Sequence, residues 1–105
     1  MARRIVRSAR ADEDLIEIWL WIARDNPAAA DRVLDAIAAR WSQLAEHPLS
    51  GSARDDIEPG LRHLVAGRYL VLYRVETAAV RILRVLHGRR RIVRTGPHVR
   101  SGDAP

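Results

Sequence analysis

The stretch G-L-R-H-L-V-A-G-R-Y-L-V-L-Y-R-V, residues 60–75, decides the fold of this chain. Together with V-R-I-L-R-V-L-H-G-R-R-R, residues 80–91, it predicts three consecutive β-strands at 61–66, 69–76 and 79–88. The middle strand is apolar on both faces, which places it in the centre of a sheet. The last strand runs directly into an arginine cluster, so the strand end is expected to hold positive charge in a fixed position.

Working outward, the first half of the chain predicts two helices. Apolar residues recur at helical spacing over residues 9–25, and Ser8 is placed to cap that helix. Asn26 and Pro27 end it and start a second helix that runs to residue 47. Because the connecting turn is so short, the two helices are expected to form an antiparallel hairpin.

These elements define an α+β fold. A short strand at 5–7 precedes the helices, so the order is β-α-α-β-β-β, with the helical hairpin packed on an antiparallel sheet. Residues 1–93 are predicted to form one domain, and the segment 94–105, which contains Gly and Pro, is predicted to be a flexible tail.

Charge is distributed unevenly along the chain. Residues 1–60 hold 8 Arg and 11 Asp or Glu, a net charge of −3, whereas residues 61–105 hold 10 Arg and 2 acids, a net charge of +8. A bias in codon usage would not concentrate the arginines in one half of the chain. The basic second half therefore predicts a surface that binds something acidic.

Composition argues against several classes of protein. There is no cysteine, and the four histidines share no short spacing, so we expect no disulfide, no metal site and no cofactor. No apolar run approaches the roughly 20 residues that span a bilayer. The N-terminus has no long apolar segment of the kind found in signal peptides. We therefore expect a cytoplasmic protein.

Four segments, in this order and spacing, resemble the ParE branch of the RelE/ParE superfamily, the toxins of bacterial toxin–antitoxin pairs. They are D-x-x-x-I-x-x-x-I-A-R-D-N-P-A-A-A at 14–30, P-L-S-G at 48–51, the 60–75 stretch quoted above, and I-L-R-V-L-H-G-R-R at 82–90. The resemblance spans residues 3–92 and implies the same fold as the residues themselves.

The resemblance implies two alternative activities. RelE-like members cut mRNA in the ribosomal A site, whereas ParE-like members, also known as plasmid stabilisation proteins, inhibit DNA gyrase and arrest growth. Both kinds are held inactive by a cognate antitoxin. For a ParE-like toxin, the implied partner is a ParD-like antitoxin with a ribbon-helix-helix DNA-binding domain, joined to the toxin in a hetero-oligomer.

Two positions favour the non-enzymatic activity. RNA-cutting members typically carry Arg directly after the tyrosine of the G-x-Y strand, where this chain has Leu70, and no tyrosine follows Tyr73. We therefore predict a gyrase inhibitor with no catalytic residue. The alternatives are an mRNA endonuclease that uses Arg68, His87 and Arg90, a plain nucleic-acid-binding module, or a decayed toxin that retains only antitoxin binding.

The predicted target-binding surface is the basic end of the last strand. No acidic residue lies near its arginines in sequence, which favours a function over a merely solvated charge run. The histidine could act as a general acid or base, but a strand-end histidine that bonds backbone or loop atoms is the commoner case. The residues of this predicted surface are His87, Arg89, Arg90 and Arg91.

A second predicted surface lies on the helical hairpin and binds the antitoxin. Trp19 and Trp41 fall on the apolar stripes and are assigned to the core, whereas Trp21 lies off them. Either Trp21 anchors an interface, as exposed aromatic residues often do, or the apolar stripe is simply wide. For an apolar helix of the antitoxin we predict a groove formed by Leu20, Trp21, Leu34 and Ala38.

Further expectations concern side chains near the sheet. Arg84 alternates with apolar neighbours and is expected to be partly buried against Glu17 or Asp14. The acidic loop at 55–58 is either solvated or paired with the basic sheet end or with an antitoxin. Tyr69 and Tyr73 share one face of their strand and are expected to pack under the helices.

Overall fold

A computed structural model describes residues 2–88 with their side chains and the backbone of residues 91–95 and 98–102. The predicted order β-α-α-β-β-β is confirmed, with a short strand added in the loop after the helices and a further hairpin at the end. The elements are β1 (Arg4–Arg7), α1 (Ala9–Ala23), α2 (Pro27–Glu46), β2 (Ser52–Ala53), β3 (Arg62–Ala66), β4 (Tyr69–Val75), β5 (Ala79–His87), β6 (Arg91–Thr95) and β7 (His98–Gly102).

Capping residues fix where both helices begin. The Ser8 hydroxyl accepts a hydrogen bond from the Ala11 N–H at 3.0 Å and donates one to the Leu83 carbonyl oxygen at 2.9 Å. The Asn26 side chain accepts from the Ala29 N–H at 3.0 Å, and Pro27 follows it as the first residue of α2. The Ser8 cap therefore ties the start of α1 to β5 as well as starting the helix.

The main sheet has five strands in the order β1-β5-β4-β3-β2, so β4 is central, as predicted. All of its pairings are antiparallel except that β1 runs parallel to β5. The sheet is therefore mixed rather than purely antiparallel. The parallel pair follows from connectivity. The helical hairpin separates β1 from the other strands, so β1 pairs with β5 and not with a strand joined to it by a tight turn.

The core lies between the helical hairpin and one face of the sheet. Ile37 and Trp41 of α2 lie in one buried cluster with Val71 and Tyr73 of β4, and Tyr69 packs against this cluster. Both tyrosines therefore lie on the helix-facing side, as predicted.

The opposite face of the sheet is covered by a loop. Leu72 of β4 and Leu86 of β5 form a second buried cluster with Leu61, and Ile57 of the acidic loop packs against it. The central strand is consequently buried on both faces, which explains why its sequence is apolar at successive positions.

The P-L-S-G segment is anchored by Tyr73. The tyrosine hydroxyl donates to the Pro48 carbonyl oxygen at 2.8 Å and accepts from the Gly51 N–H at 3.0 Å. A Cβ atom at Gly51 would overlap this hydroxyl and the carbonyl oxygen of His63, so only glycine fits the segment against the sheet.

Beyond the main sheet, β6 and β7 pair as an antiparallel hairpin. Most of this hairpin lies within the 94–105 segment for which the sequence predicted a flexible tail. The β-branched Ile, Val and Thr of R-I-V-R-T suit a strand. The flexibility of the segment itself stays a prediction.

Candidate functional site

The end of β5 lies beside the start of β4, at one end of the strands of the sheet. His87 is opposite Tyr69 in the antiparallel register, and the two rings make an edge-to-face contact with centroids 5.7 Å apart. One residue further, the Gly88 N–H donates to the Arg68 carbonyl oxygen at 2.8 Å. A hydrogen-bonded strand pair holds its residues in place, so these neighbours form a fixed arrangement.

A buried ion pair fixes α1 against the same strand. Asp14 and Arg84 are each 4% exposed. The Arg84 Nε donates to Asp14 Oδ2 at 2.8 Å and its Nη2 donates to Oδ1 at 3.1 Å, while the Val85 N–H also donates to Oδ2 at 2.9 Å. Of the two carboxylates predicted to neutralise Arg84, the structure selects Asp14 over Glu17. Arg84 therefore belongs to the scaffold.

Two further arginines of the sheet are also neutralised. The Arg74 Nη2 lies 2.6 Å from the Glu58 Oε1, and the Arg81 Nε lies 2.9 Å from the Glu76 Oε2. The guanidinium of Arg81, through its hydrogen bonds, lowers the pKa of the Glu76 carboxyl. These arginines stabilise the sheet edge and the loop and do not supply free positive charge.

The acidic residues of the loop each have a partner close by. Asp56 accepts from the Arg54 Nε at 3.1 Å, and this guanidinium lowers the pKa of the Asp56 carboxyl. Asp55 accepts from the Gly60 N–H at 2.8 Å, and Glu58 is buried beside Arg74. The predicted pairing of this loop with the basic sheet end lies outside the described residues, and pairing with an antitoxin stays a prediction.

Arg68 differs from Arg74, Arg81 and Arg84 of the sheet. It is exposed in the turn between β3 and β4, and none of the carboxylates within residues 2–88 forms an ion pair with it. Gly67 precedes it with a φ of 61°, a left-handed conformation that glycine adopts without strain. Arg68 lines the same cavities as Tyr69 and His87.

The structure places only part of the predicted target surface. His87 is half-buried at the end of β5. Arg89 and Arg90 lie outside the described residues, and Arg91 opens β6 by its backbone alone. The role predicted for these residues stays a prediction, and Arg68 is the described guanidinium that shares the strand end with His87.

The four residues predicted to bind an antitoxin do not form one groove. Leu20 and Leu34 line a groove between the helices together with Leu15, Ile16 and Trp19, which we call the helix groove. Ala38 is exposed and lies outside that lining, and Trp21 faces elsewhere. Adjacent helical residues are separated by about 100° around the axis, so neighbours such as Leu20 and Trp21 point to different sides.

Trp21 lines a second cavity on the other side of α1, which we call the strand-end cleft. Three aromatic rings and one guanidinium contribute to it, from Trp21, Tyr69, His87 and Arg68. The rest of its lining is small or apolar: Ile22, Val33, Ala36, Ala66 and Gly67. The sequence indicated this site only through the glycine turn next to Arg68. The contact between this turn and α1 depends on how the helix packs on the sheet.

The three tryptophans have three different environments. Trp41 is buried in the core at 7% exposure, as predicted. Trp19 is only half-buried, and its Nε1 donates to Asp31 Oδ1 at 2.8 Å, so its assignment to the core was wrong. Trp21 is 69% exposed, and the Arg24 guanidinium lies 5.1 Å from its ring centroid. A wide buried stripe therefore does not explain Trp21.

Leu70 lies between Val65 and Leu86 in the strand register and has an apolar environment. It also lines a shallow depression with Arg68 and His87, on the strand end but outside the strand-end cleft. A residue at this position would contact a ligand bound over the strand end. Leucine offers such a ligand neither a hydrogen bond nor a charge.

Two kinds of site are not found in the part of the chain that the structure describes. No group of three or more His, Asp or Glu residues there is arranged to hold a metal ion. Similarly, none of its helices combines the length and the apolar character needed to cross a membrane.

The fold and the site define a small α+β domain with a helical hairpin over a mixed sheet and an aromatic cleft that is also lined by Arg68. Residues 5–92 match the family described as "ParE toxin of type II toxin-antitoxin system, parDE". The chain therefore belongs to the ParE/RelE superfamily and is a toxin of a type II toxin–antitoxin system.

Named relatives carry both branch names. The chain is 37% identical over 82 residues to Toxin RelE3 of Caulobacter vibrioides, covering 74% of this chain and 86% of the relative. It is 32% identical over 87 residues to Toxin ParE3 of the same organism, covering 82% and 87%. It is 34% identical over 91 residues to Toxin ParE1 of Mycobacterium tuberculosis, covering 85% and 93%.

Solved structures share the fold. A chain of the chromosomal ParDE system of P. aeruginosa superposes with a TM-score of 0.70 at 21% identity, covering 82% of this chain and 96% of that one. A chain of the RelBE2 toxin–antitoxin complex of Mycobacterium tuberculosis superposes with a TM-score of 0.59 at 24% identity, covering 83% and 99%. The predicted fold class is thereby confirmed.

Proposed function

We propose that this toxin inhibits DNA gyrase without catalysing a reaction and is neutralised by a ParD-like antitoxin in the cytoplasm. The observation that carries the proposal is Leu70. At the strand end it supplies an apolar surface where cleavage of a phosphodiester would need a donor or a cation beside the scissile group. The side chains of His87 and Arg68 are suited to bind a macromolecule there.

The proposed target surface combines the strand-end cleft with the arginines that follow it in sequence. Tyr69, His87 and Arg68 are positioned by strand pairing, and the Asp14–Arg84 ion pair holds α1 beside them. A surface built on paired strands and a packed helix loses little conformational freedom on binding. This favours the recognition of a folded target.

A supercoiling assay with purified gyrase and the full-length toxin tests the proposal. We expect inhibition at micromolar toxin, weakened by the Arg68→Gln substitution. Arg81→Gln is the matched control, since Arg81 is on the neighbouring strand and already paired with Glu76. Normal supercoiling with the wild-type toxin would refute gyrase as the target.

The proposed antitoxin site is the helix groove. Ile16 and Leu20 are 60% and 55% exposed, and they line the groove with Leu34. An amphipathic helix of a ParD-like antitoxin can place apolar residues on such a groove, and the toxin and antitoxin would then form a hetero-oligomer. The antitoxin should bind wild-type toxin and lose affinity for Leu20→Ala.

A second candidate function, ribosome-dependent mRNA cleavage, is favoured by the similarity to Toxin RelE3 and by the contact between His87 and Tyr69. In a translating extract, this function predicts transcripts cut at A-site codons. If cleavage occurs and His87→Ala abolishes it, the enzyme is the correct assignment. If wild-type toxin leaves transcripts intact and Leu70→Arg creates cleavage, the leucine accounts for the difference.

A further inference from the structure

The strand-end cleft combines features that seldom occur together on a solvated surface. Its lining is apolar where α1, α2 and β3 contribute Ile22, Val33, Ala36 and Ala66, and its volume is about 470 Å³. A cavity of this size holds one or two large side chains and not a folded element.

The lining of the cleft also contains a basic residue. Arg68 is the arginine in this lining, and no carboxylate among residues 2–88 is paired with it. An arginine is a strong donor for a carboxylate, because such hydrogen bonds are charge-assisted and the planar guanidinium can form two of them at once. The cleft therefore combines an apolar cavity with a site for an anion at Arg68.

Trp21 adds a large aromatic surface to the same cavity. Its ring is 69% exposed and carries the Arg24 guanidinium 5.1 Å from its centroid. Exposed tryptophans flanked by arginine are the residue types that most often dominate protein interfaces. The second guanidinium also adds to the positive potential around the cleft.

We propose that the strand-end cleft binds an extended segment of a protein partner in which a large apolar side chain is followed directly by Asp or Glu. The apolar side chain packs on Ile22 and Val33 beside Trp21, and the carboxylate accepts hydrogen bonds from Arg68. That this segment belongs to gyrase rests on the proposed function, whereas the chemistry of the cleft does not.

A nearby acidic group favours a peptide over a nucleic acid. Glu17 and Asp14 line an adjoining depression that shares Trp21, Tyr69 and His87 with the cleft. Asp14 is neutralised by Arg84, but Glu17 is exposed. A nucleic acid bound along the cleft would place phosphates near the negative charge of Glu17. A peptide with a single carboxylate at Arg68 would avoid this repulsion.

The test uses two short acetylated and amidated peptides, Ser-Leu-Glu-Ser and Ser-Leu-Gln-Ser, which differ in one charge. Binding to the full-length toxin is measured from the indole N–H signals in NMR spectra. We expect both peptides to shift the Trp21 signal, with the Gln peptide about fivefold weaker, since an exposed ion pair is worth up to about 1 kcal/mol.

Matched variants assign the two parts of the site. Arg68→Gln should bind both peptides equally, and Arg81→Gln should keep the preference for the Glu peptide. Trp21→Ala should weaken both peptides, which is then read from the titration of backbone amides, and Leu20→Ala should weaken neither. All these side chains are exposed or half-exposed, so the variants are expected to fold.

Several outcomes would overturn the proposal. These are equal affinity of the wild-type toxin for the two peptides, no binding of either, or loss of binding in Leu20→Ala instead of Trp21→Ala. Tight binding of a 15-nucleotide oligo-dT that depends on Trp21 would reassign the cleft to nucleic acid. Gyrase inhibition is measured on the same preparations, so peptide binding without inhibition would refute only the proposed function, and inhibition without peptide binding only this inference.

Discussion

The helix groove and the strand-end cleft flank the same helix, yet they offer different chemistry. Most residues that line the helix groove are apolar. Its charged lining residues, Arg7 and Asp12, form an ion pair with 3.1 Å between Arg7 Nε and Asp12 Oδ1. The strand-end cleft is instead lined by Arg68, which forms an ion pair with none of the carboxylates in residues 2–88. One amphipathic helix can therefore separate two binding surfaces because adjacent residues project in different directions. Leu20 and Trp21, neighbours with similar exposure, belong one to each surface.

The largest expected effect comes from breaking the Asp14–Arg84 pair, which supports the cleft side of α1. Asp14→Ala leaves a buried guanidinium without its carboxylate, and we expect a loss of about 3–5 kcal/mol in the free energy of unfolding. Urea denaturation measures this loss.

The same variant also tests whether the two grooves are independent. If the scaffold is as described, the double variant Asp14→Ala/Arg84→Met should recover most of the lost stability, because no buried charge remains. In the single variant, NMR signals of Trp21 should shift more than those of Trp19. Equal shifts at both tryptophans would contradict a local role for the pair.

Next in size is the effect of truncating the two neighbouring residues of α1. Leu20→Ala and Trp21→Ala should each change the free energy of unfolding by no more than about 0.5 kcal/mol, since both side chains are exposed. Calorimetry should show Leu20→Ala weakening antitoxin binding by roughly thirtyfold, equivalent to about 2 kcal/mol for an interface anchor. Gyrase inhibition should fall in Trp21→Ala and persist in Leu20→Ala. The same loss in both variants would mean that the grooves act as one surface.

A smaller effect is expected from Tyr73, which lies in neither groove. Tyr73→Phe removes the hydroxyl that joins Pro48 to Gly51, leaving a part-buried carbonyl and N–H without this partner. We expect about 1 kcal/mol less stability in thermal or urea unfolding, with antitoxin binding and gyrase inhibition unchanged. Altered binding in this variant would show that the P-L-S-G segment contributes to a surface.

The sequence predicted the elements of the fold better than their arrangement. Periodicity and caps located both helices, and the apolar pattern at 69–75 identified the central strand, because these signals are local. The parallel pairing of β1 with β5 was missed, since it depends on where the chain returns after the hairpin. The short β2 was also missed, because a two-residue strand has no periodicity to detect.

The candidate site was predictable only as a set of residue types. The strand-end histidine and the exposed tryptophan were both identified, but their presence on one cleft depends on the packing of α1 across β5. Asp14 and Glu17 were equal candidates for Arg84 by sequence, and the geometry of the buried side chains decided between them. Charge counts could not show which arginines are already paired, and this pairing separates Arg68 from Arg74 and Arg81.

The smallest predicted effect concerns acid and lies outside both grooves. Partial burial, with the nearby Arg54 guanidinium, lowers the pKa of His63 below its ordinary value of 6.5, although Asp56 opposes this shift. The unfolded chain therefore binds a proton more readily than the folded protein, so stability should fall as the pH drops below 6.5. The paired carboxylates Asp56 and Glu76 have lowered pKa values, so their contributions to stability are lost only at more acidic pH, below their ordinary pKa values of 3.8 and 4.5.

Urea midpoints measured from pH 7.5 to 5 should decline less in His63→Gln than in the wild type. An identical decline in both would show that His63 is not the source of the acid sensitivity.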